Sequence, residues 1–177
     1  SKKYLSIPLG PKQKQIKTLE LPAGIKWRVD MLNVLHASYS KSSYYEDVRD
    51  DIEELLMFDC QYFYEFSINV IYFFMKNFNI EKNCFIDKDF NKEFGEANNR
   101  LINLCNEVKA SKYLSGIGAK SYIDEEIFLK NEIDVVYQDY FPRPYRQLSN
   151  EFIPGLSIID VLFNCGYYET EKLIKSL

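Results

Sequence analysis

Residues 113–124 read YLSGIGAKSYID and residues 133–140 read IDVVYQDY, and the fold turns on how these two stretches are joined. The first is a short apolar run, Tyr113 and Leu114, that gives way to Ser115, Gly116, Gly118 and Ala119 and then to a helical pattern from about Ser121 to Asn131. The second is rich in β-branched and aromatic residues, as strands are. Ahead of both, Leu101, Ile102, Leu104, Cys105 and Val108 mark one face of a helix over 98–108. Helix, strand, loop, helix, strand at these lengths predicts a right-handed parallel β-α-β crossover. The expected fold class is α/β: helix-rich, with a small sheet containing that crossover near the C-terminal half.

Parallel strands send their carboxyl ends to one edge, which is where open α/β sheets bind ligands. That edge would gather Ser115, Gly116 and Gly118 from the first loop with Gln138 and Asp139 from the second strand. Unpaired backbone N–H groups where a glycine loop opens a helix suit an anion or a polar ligand. The next loop, FPRPYRQL, carries Arg143 and Arg146, either as anion-binding forks or as ordinary surface charges.

Toward the N-terminus, KYLSIPL (3–9) and QIKTLEL (15–21) alternate enough to read as two strands joined by the turn GPKQK. A helix follows over 26–40, with Trp27, Met31 and Leu35 on one face and Leu32, His36 and Tyr39 beside it. His36 is the single histidine of the chain, so it alone has an ordinary pKa near neutrality. Imidazole acid–base chemistry, if used, falls to it; a packed structural ring is the alternative reading.

A further helix starts near Tyr44, where Glu46, Asp47, Asp50 and Asp51 complement the positive helix end without needing a binding role. In the aromatic run 55–78, Asp59 interrupts, and Glu54, Gln61, Glu65, Asn69 and Lys76 line one narrow helical face. That is the pattern of a buried helix with one wet stripe rather than of a membrane span. One short strand is expected near Cys84 to Ile86. Later, Ser157 and Asp160 have capping-box spacing, Asn164 and Gly166 would close that helix, and a last amphipathic helix covers Glu169 to Leu177.

A chain of 177 residues fits a single domain over 1–177 and buries roughly 70% of its unfolded surface. Cys60, Cys84, Cys105 and Cys165 lie far apart, which reads as reduced thiols; with one histidine, no metal site is expected. Residues 1–41 carry eight Lys/Arg against two acids, whereas the rest of the chain is acidic and the total is −4. An acidic total without an Arg/aromatic module argues against nucleic-acid binding. The chain begins without a hydrophobic signal region, so the expected location is cytoplasmic with no stable membrane insertion. The run GAKS lacks the upstream glycine of a phosphate loop, SGIG is too short for a dinucleotide fingerprint, and Ser115 has only half of a nucleophile elbow. No cofactor is expected.

Several segments in order resemble the WbqC-like family: Trp27 with His36 to Lys41 and Tyr44-Tyr45, Arg100 to Cys105, Tyr113 to Gly116, Tyr122 with Asp124, Glu125 and Phe128, Val136 to Tyr140, and Ser157 to Asp160 with Leu162 to Asn164 and Gly166. The match thins between Asp50 and Glu96, and Lys109 stands where the family has glycine. Family members usually start with a Q-P-x-[FY]-L-P-type segment, and Ser1 is expected to fall after that point of the family pattern. The resemblance implies a role in bacterial surface-polysaccharide (O-antigen type) biosynthesis. Its expected form is a transferase acting on a nucleotide- or carrier-linked sugar. His36 would be the general base, and Tyr39, Ser115, Gly116, Gly118, Tyr122, Gln138, Asp139, Arg143 and Arg146 would contact the substrate. A non-catalytic binding or scaffold module with a protein partner is the alternative.

Overall fold

The computed structural model describes residues 2–10, 15–86, 90 and 92–175, which fall into two compact units: residues 1–81 with 142–177, and residues 82–141. In chain order the elements are α1 (Lys26–Tyr39), α2 (Tyr45–Met57), α3 (Phe63–Asn77), α4 (Ala97–Glu107), β1 (Lys112–Gly116), α5 (Glu125–Lys130), β2 (Asp134–Gln138) and α6 (Ile158–Lys175). The chain is helix-rich with one small parallel sheet, the α/β class expected.

The smaller unit is built on the crossover. β1 and β2 pair in parallel, with Leu114 opposite Val136, Ser115 opposite Tyr137 and Gly116 opposite Gln138. Between them lies a 3-10 turn, Ile117–Ser121, and then α5, which starts later than the pattern around Ser121 predicts. Asp124 sets that start: its carboxylate accepts from the amides of Glu126 and Ile127 at 3.2 and 3.3 Å, a cap worth about 1 kcal/mol. Asn98 on α4 holds the same turn, donating to the Tyr122 carbonyl and accepting from the Asp124 amide. Phe128 and Ile133 are fully buried beneath the sheet with Ile102, Cys105, Ala119 and Ile123. Each large side chain so buried contributes about 2 kcal/mol.

The larger unit packs α1, α2, α3 and α6 around Trp27, Leu35, Val48, Ile52, Phe66, Phe78, Leu162 and Phe163. The aromatic run does not form one helix: α2 ends at Met57 and α3 begins at Phe63, so Glu54 and Glu65 lie on different helices and Gln61 lies between them. Arg28 explains the break. It is buried, and its guanidinium donates to the carbonyls of Leu56 (2.8 Å) and Phe58 (3.1 Å), closing the C-terminal end of α2, whose last turn has no basic residue of its own.

Three other expectations are corrected. Residues 2–9 have no regular structure and 16–18 form a 3-10 turn, so the N-terminal strand pair is absent; Glu20 makes only an isolated bridge to Tyr62. The expected turn 10–14 falls largely on residues 11–14, outside the described residues, and Cys84 to Ile86 is not a strand. Asp160 is not a capping partner. It is 5% exposed, and its carboxylate accepts from the Tyr145 hydroxyl at 2.6 Å and the Gln147 amide at 3.3 Å. Burial, and then hydrogen bonding to Asp160, holds the phenols of Tyr39 and Tyr145 far above their ordinary pKa; burial, and then the bond it donates to Asp51 at 2.7 Å, does the same for Tyr167.

At Gly166 the backbone leaves the helical region, with φ 71° and ψ 177°, so α6 consists of two helical segments that meet at a kink, in keeping with a helix closed at Gly166 and a last helix after it. The Phe163 carbonyl accepts from the Tyr44 amide, the Gly166 carbonyl accepts from the Thr170 hydroxyl, and the Tyr44 ring lies against the kink. A Cβ built on Gly166 would sit 2.7 Å from Cδ1 of Tyr44. Gly166→Ala therefore adds a clash to a backbone region open only to glycine and should lower unfolding free energy by about 3 kcal/mol. Shrinking Tyr44 in the same chain should recover the steric part only, which denaturant melts of the single and double variants would measure.

Tyr39, Tyr145 and Tyr167 also set an alkaline limit. Because the folded state holds these protons more tightly, their stabilisation is complete below the ordinary phenol value of about 10 and is lost as pH rises beyond it. Melting temperature should fall steeply above that value, and Tyr145→Phe should make the fall shallower; an unchanged slope would show that this phenol is not linked to folding.

Candidate functional site

In the larger unit, α1 and α2 run side by side and leave a groove between them. The facing positions of α1 are Val29, Leu32, Asn33 and His36, spaced three, one and three apart; those of α2 are Tyr45, Arg49, Asp50, Ile52, Glu53 and Met57. Helical periodicity puts each set on one face. Leu35 and Phe163 complete a cleft of about 480 Å³ whose floor is apolar and whose lips are polar. This volume lies within the range of small-ligand sites.

His36 is exposed, and its Nδ1 lies 2.9 Å from the Tyr45 hydroxyl. Tyr45 is nearly covered; burial raises its phenol above the ordinary value, the Arg49 charge opposes this, and Glu46, Glu53 and Asp50 add to it. Its ring packs 5.2 Å from Phe163, which stacks on Tyr39 at 5.0 Å. An unbroken aromatic row therefore joins the wall of the cleft to the Asp160 network.

The Arg49 guanidinium is already engaged, at 3.1 Å by Glu46 and at 3.0 Å by Asp50. Glu53 forms no hydrogen bond or ion pair among the described residues. With a neutral imidazole the cleft is thus slightly acidic, and it has no uncommitted cation for a diphosphate.

The sequence-derived candidates divide between the units. His36, Tyr39, Arg143 and Arg146 belong to the larger, and Ser115, Gly116, Gly118, Tyr122, Gln138 and Asp139 to the smaller. His36 lines the cleft, whereas Tyr39 is committed to Phe163 and Asp160 behind it. Arg143 and Arg146 are exposed on the loop before α6, and the Arg146 carbonyl accepts from the Cys165 thiol. In the smaller unit, Gly116 and Gln138 are cross-strand partners at the carboxyl edge, next to Asp139, as the crossover predicts. Ser115, however, faces inward and is buried, while Tyr122 is exposed. Nothing lies within 4 Å of a Cβ built on Gly116 or Gly118, so close approach of neighbouring atoms does not require glycine at either position.

Sequence reasoning missed Asn33, Tyr45, Arg49, Asp50 and Glu53. Their signal was present, since Asn33 precedes His36 by three and Tyr45, Arg49 and Glu53 recur at four, but nothing in the sequence says that the two helix faces meet. The acidic run was assigned wholly to the helix end; instead Asp50 lines the cleft and Asp51 accepts from Tyr167.

Among the described residues there is no cluster of three or more side chains suited to hold a metal ion, and no helix is long and apolar enough to cross a membrane. All four cysteines are free, though only Cys105 is buried. No solved structure matches the chain. An uncharacterized protein of Mycobacterium tuberculosis is 47% identical over 68 residues, a stretch that covers 38% of this chain and 29% of that relative. The model of the WbqC-like protein family matches residues 1–172, nearly the whole length and including every segment that carried the resemblance, and the chain belongs to that family.

Proposed function

We propose that the protein works in surface-polysaccharide biosynthesis as a transferase acting on a nucleotide- or carrier-linked sugar, with the His36 cleft as its reaction site. The supporting observation is that the chain's single imidazole lies in a ligand-sized cleft, bonded on one nitrogen to a buried phenol. An apolar floor with Asn33, Asp50 and Glu53 at the lips suits a sugar ring, which has apolar faces and a rim of hydroxyls. Because Arg49 is committed to two carboxylates, the sugar enters this cleft and the phosphates of its carrier stay outside. His36 is the group that handles the proton of the reaction.

One observation favours the non-catalytic reading. Leu114 and Val136 face each other across the outer side of the parallel pair and are 64% and 42% exposed, although parallel sheets are ordinarily covered on both faces. That surface fits a protein partner.

The two readings separate experimentally. Thermal-shift screening of the purified chain against free sugars, sugar nucleotides and carrier-linked sugars should find stabilisation by a member of one class. Transfer of that sugar should fall roughly 10²- to 10⁴-fold in His36→Ala while the melting temperature holds. Full turnover in this variant would remove the imidazole from the chemistry, and stabilisation by a protein partner alone would favour the scaffold.

A further inference from the structure

A single proton lies between the Tyr45 hydroxyl and Nδ1 of His36, and the way it points decides what the imidazole offers on its other side. Two assignments fit 2.9 Å: the phenol donates to Nδ1, or Nδ1–H donates to the phenol oxygen. Burial and the nearby carboxylates keep the phenol protonated. That proton needs an acceptor, because a buried hydroxyl without one costs roughly 1–3 kcal/mol. Tyr45 is 8% exposed, and Nδ1 is the one hydrogen-bond partner of its hydroxyl among the described residues. Were Nδ1 the donor, the phenol proton would have no acceptor among the described residues, on a ring packed tilted against Phe163 and edge-on to His36.

We infer that Tyr45 is a positioning residue that donates to Nδ1 and so holds neutral His36 with its proton on Nε2, making the ring a hydrogen-bond donor toward the cleft rather than a base. A neutral imidazole has one N–H and one lone pair, and here the lone pair is spent on Tyr45. The inference rests on the reading of the cleft as the sugar site and narrows it. The ligand atom that meets Nε2 is an oxygen acceptor. With the Arg49 charge offset by Glu46 and Asp50, the unpaired Glu53 on the same lip disfavours an anionic oxygen, so the acceptor is neutral: a carbonyl, a ring oxygen or a glycosidic oxygen. The general-base role expected of His36 becomes one of polarising such an oxygen through the Nε2–H hydrogen bond.

His36 is the chain's single histidine, so the full chain labelled with ¹⁵N-histidine gives one imidazole spectrum. At about pH 8.5, two units above the ordinary imidazole value, correlations from the ring carbon protons identify which nitrogen bears hydrogen. The expected result is a protonated Nε2 and an unprotonated, hydrogen-bonded Nδ1. Tyr45→Phe keeps the ring on Phe163 and removes only the hydroxyl; Nδ1 should then move to the position of an unbonded ring nitrogen. A protonated Nδ1 in the parent chain, or an Nδ1 resonance that ignores the substitution, overturns the assignment; the second is the result a merely structural Tyr45 would give.

N-acetylglucosamine and inorganic phosphate, added separately, test the ligand class. The sugar should shift Nε2 and phosphate should not; a shift by phosphate alone overturns the neutral-oxygen assignment. If no sugar perturbs the ring while Nε2 carries the proton as expected, the sugar-site reading fails and the tautomer assignment stands.

Discussion

A carboxylate with nineteen-twentieths of its surface covered persists only if donors replace the water it has lost, and in the larger unit Asp160 meets that condition. Its donors come from two separate places: Tyr39 at the end of α1, and Tyr145 with Gln147 on the irregular segment that leads into α6. Gln147 also accepts from the Ile153 amide and donates to the Ile153 carbonyl, closing that segment on itself. One acidic side chain thereby fixes the approach to α6 and the orientation of α6 to α1. Phe163, one helical turn onward, stacks on Tyr39, packs at a tilt against Tyr45 and passes that orientation to the cleft wall.

Gly166 supports the same arrangement from the other side. A helix with an ordinary residue there would continue straight and keep the Phe163 carbonyl for itself. The kink releases that carbonyl to the Tyr44 amide and makes room for the Tyr44 ring. Tyr44 immediately precedes α2, so the start of the helix that carries Tyr45, Arg49 and Glu53 is fastened to α6. The polar groups of the cleft therefore sit on rigid helices whose spacing is set by buried contacts behind them.

Reading the sequence was most secure where the chain's neighbours supply the partner. The crossover at 112–138 was legible because strand, turn, helix and strand follow one another, and sequence order alone puts Gly116 beside Gln138. Helix α1 was legible from its period. The N-terminal alternation in KYLSIPL and QIKTLEL misled, because alternation describes a strand only if a second strand accepts its hydrogen bonds, and here none of the described residues pairs with 2–9. The long aromatic run misled for a related reason: its period continues past Phe58, but Arg28, thirty residues earlier, takes the carbonyls that would have extended α2.

By itself the sequence determined the family, the helix-rich α/β class, the crossover and the singular position of His36, since all of these depend on local pattern, order or count. Tertiary structure decided what each polar residue is for. Asp160 is spaced like a cap and serves as a buried anchor; Tyr39, adjacent in the pattern to His36, belongs to that anchor; and Tyr45, Arg49, Asp50 and Glu53 acquire a shared cleft with His36. The physical reason is that hydrogen bonding and burial depend on which helix faces meet, and that is settled by Phe163, Arg28 and the Gly166 kink acting across distances along the chain that no local pattern records.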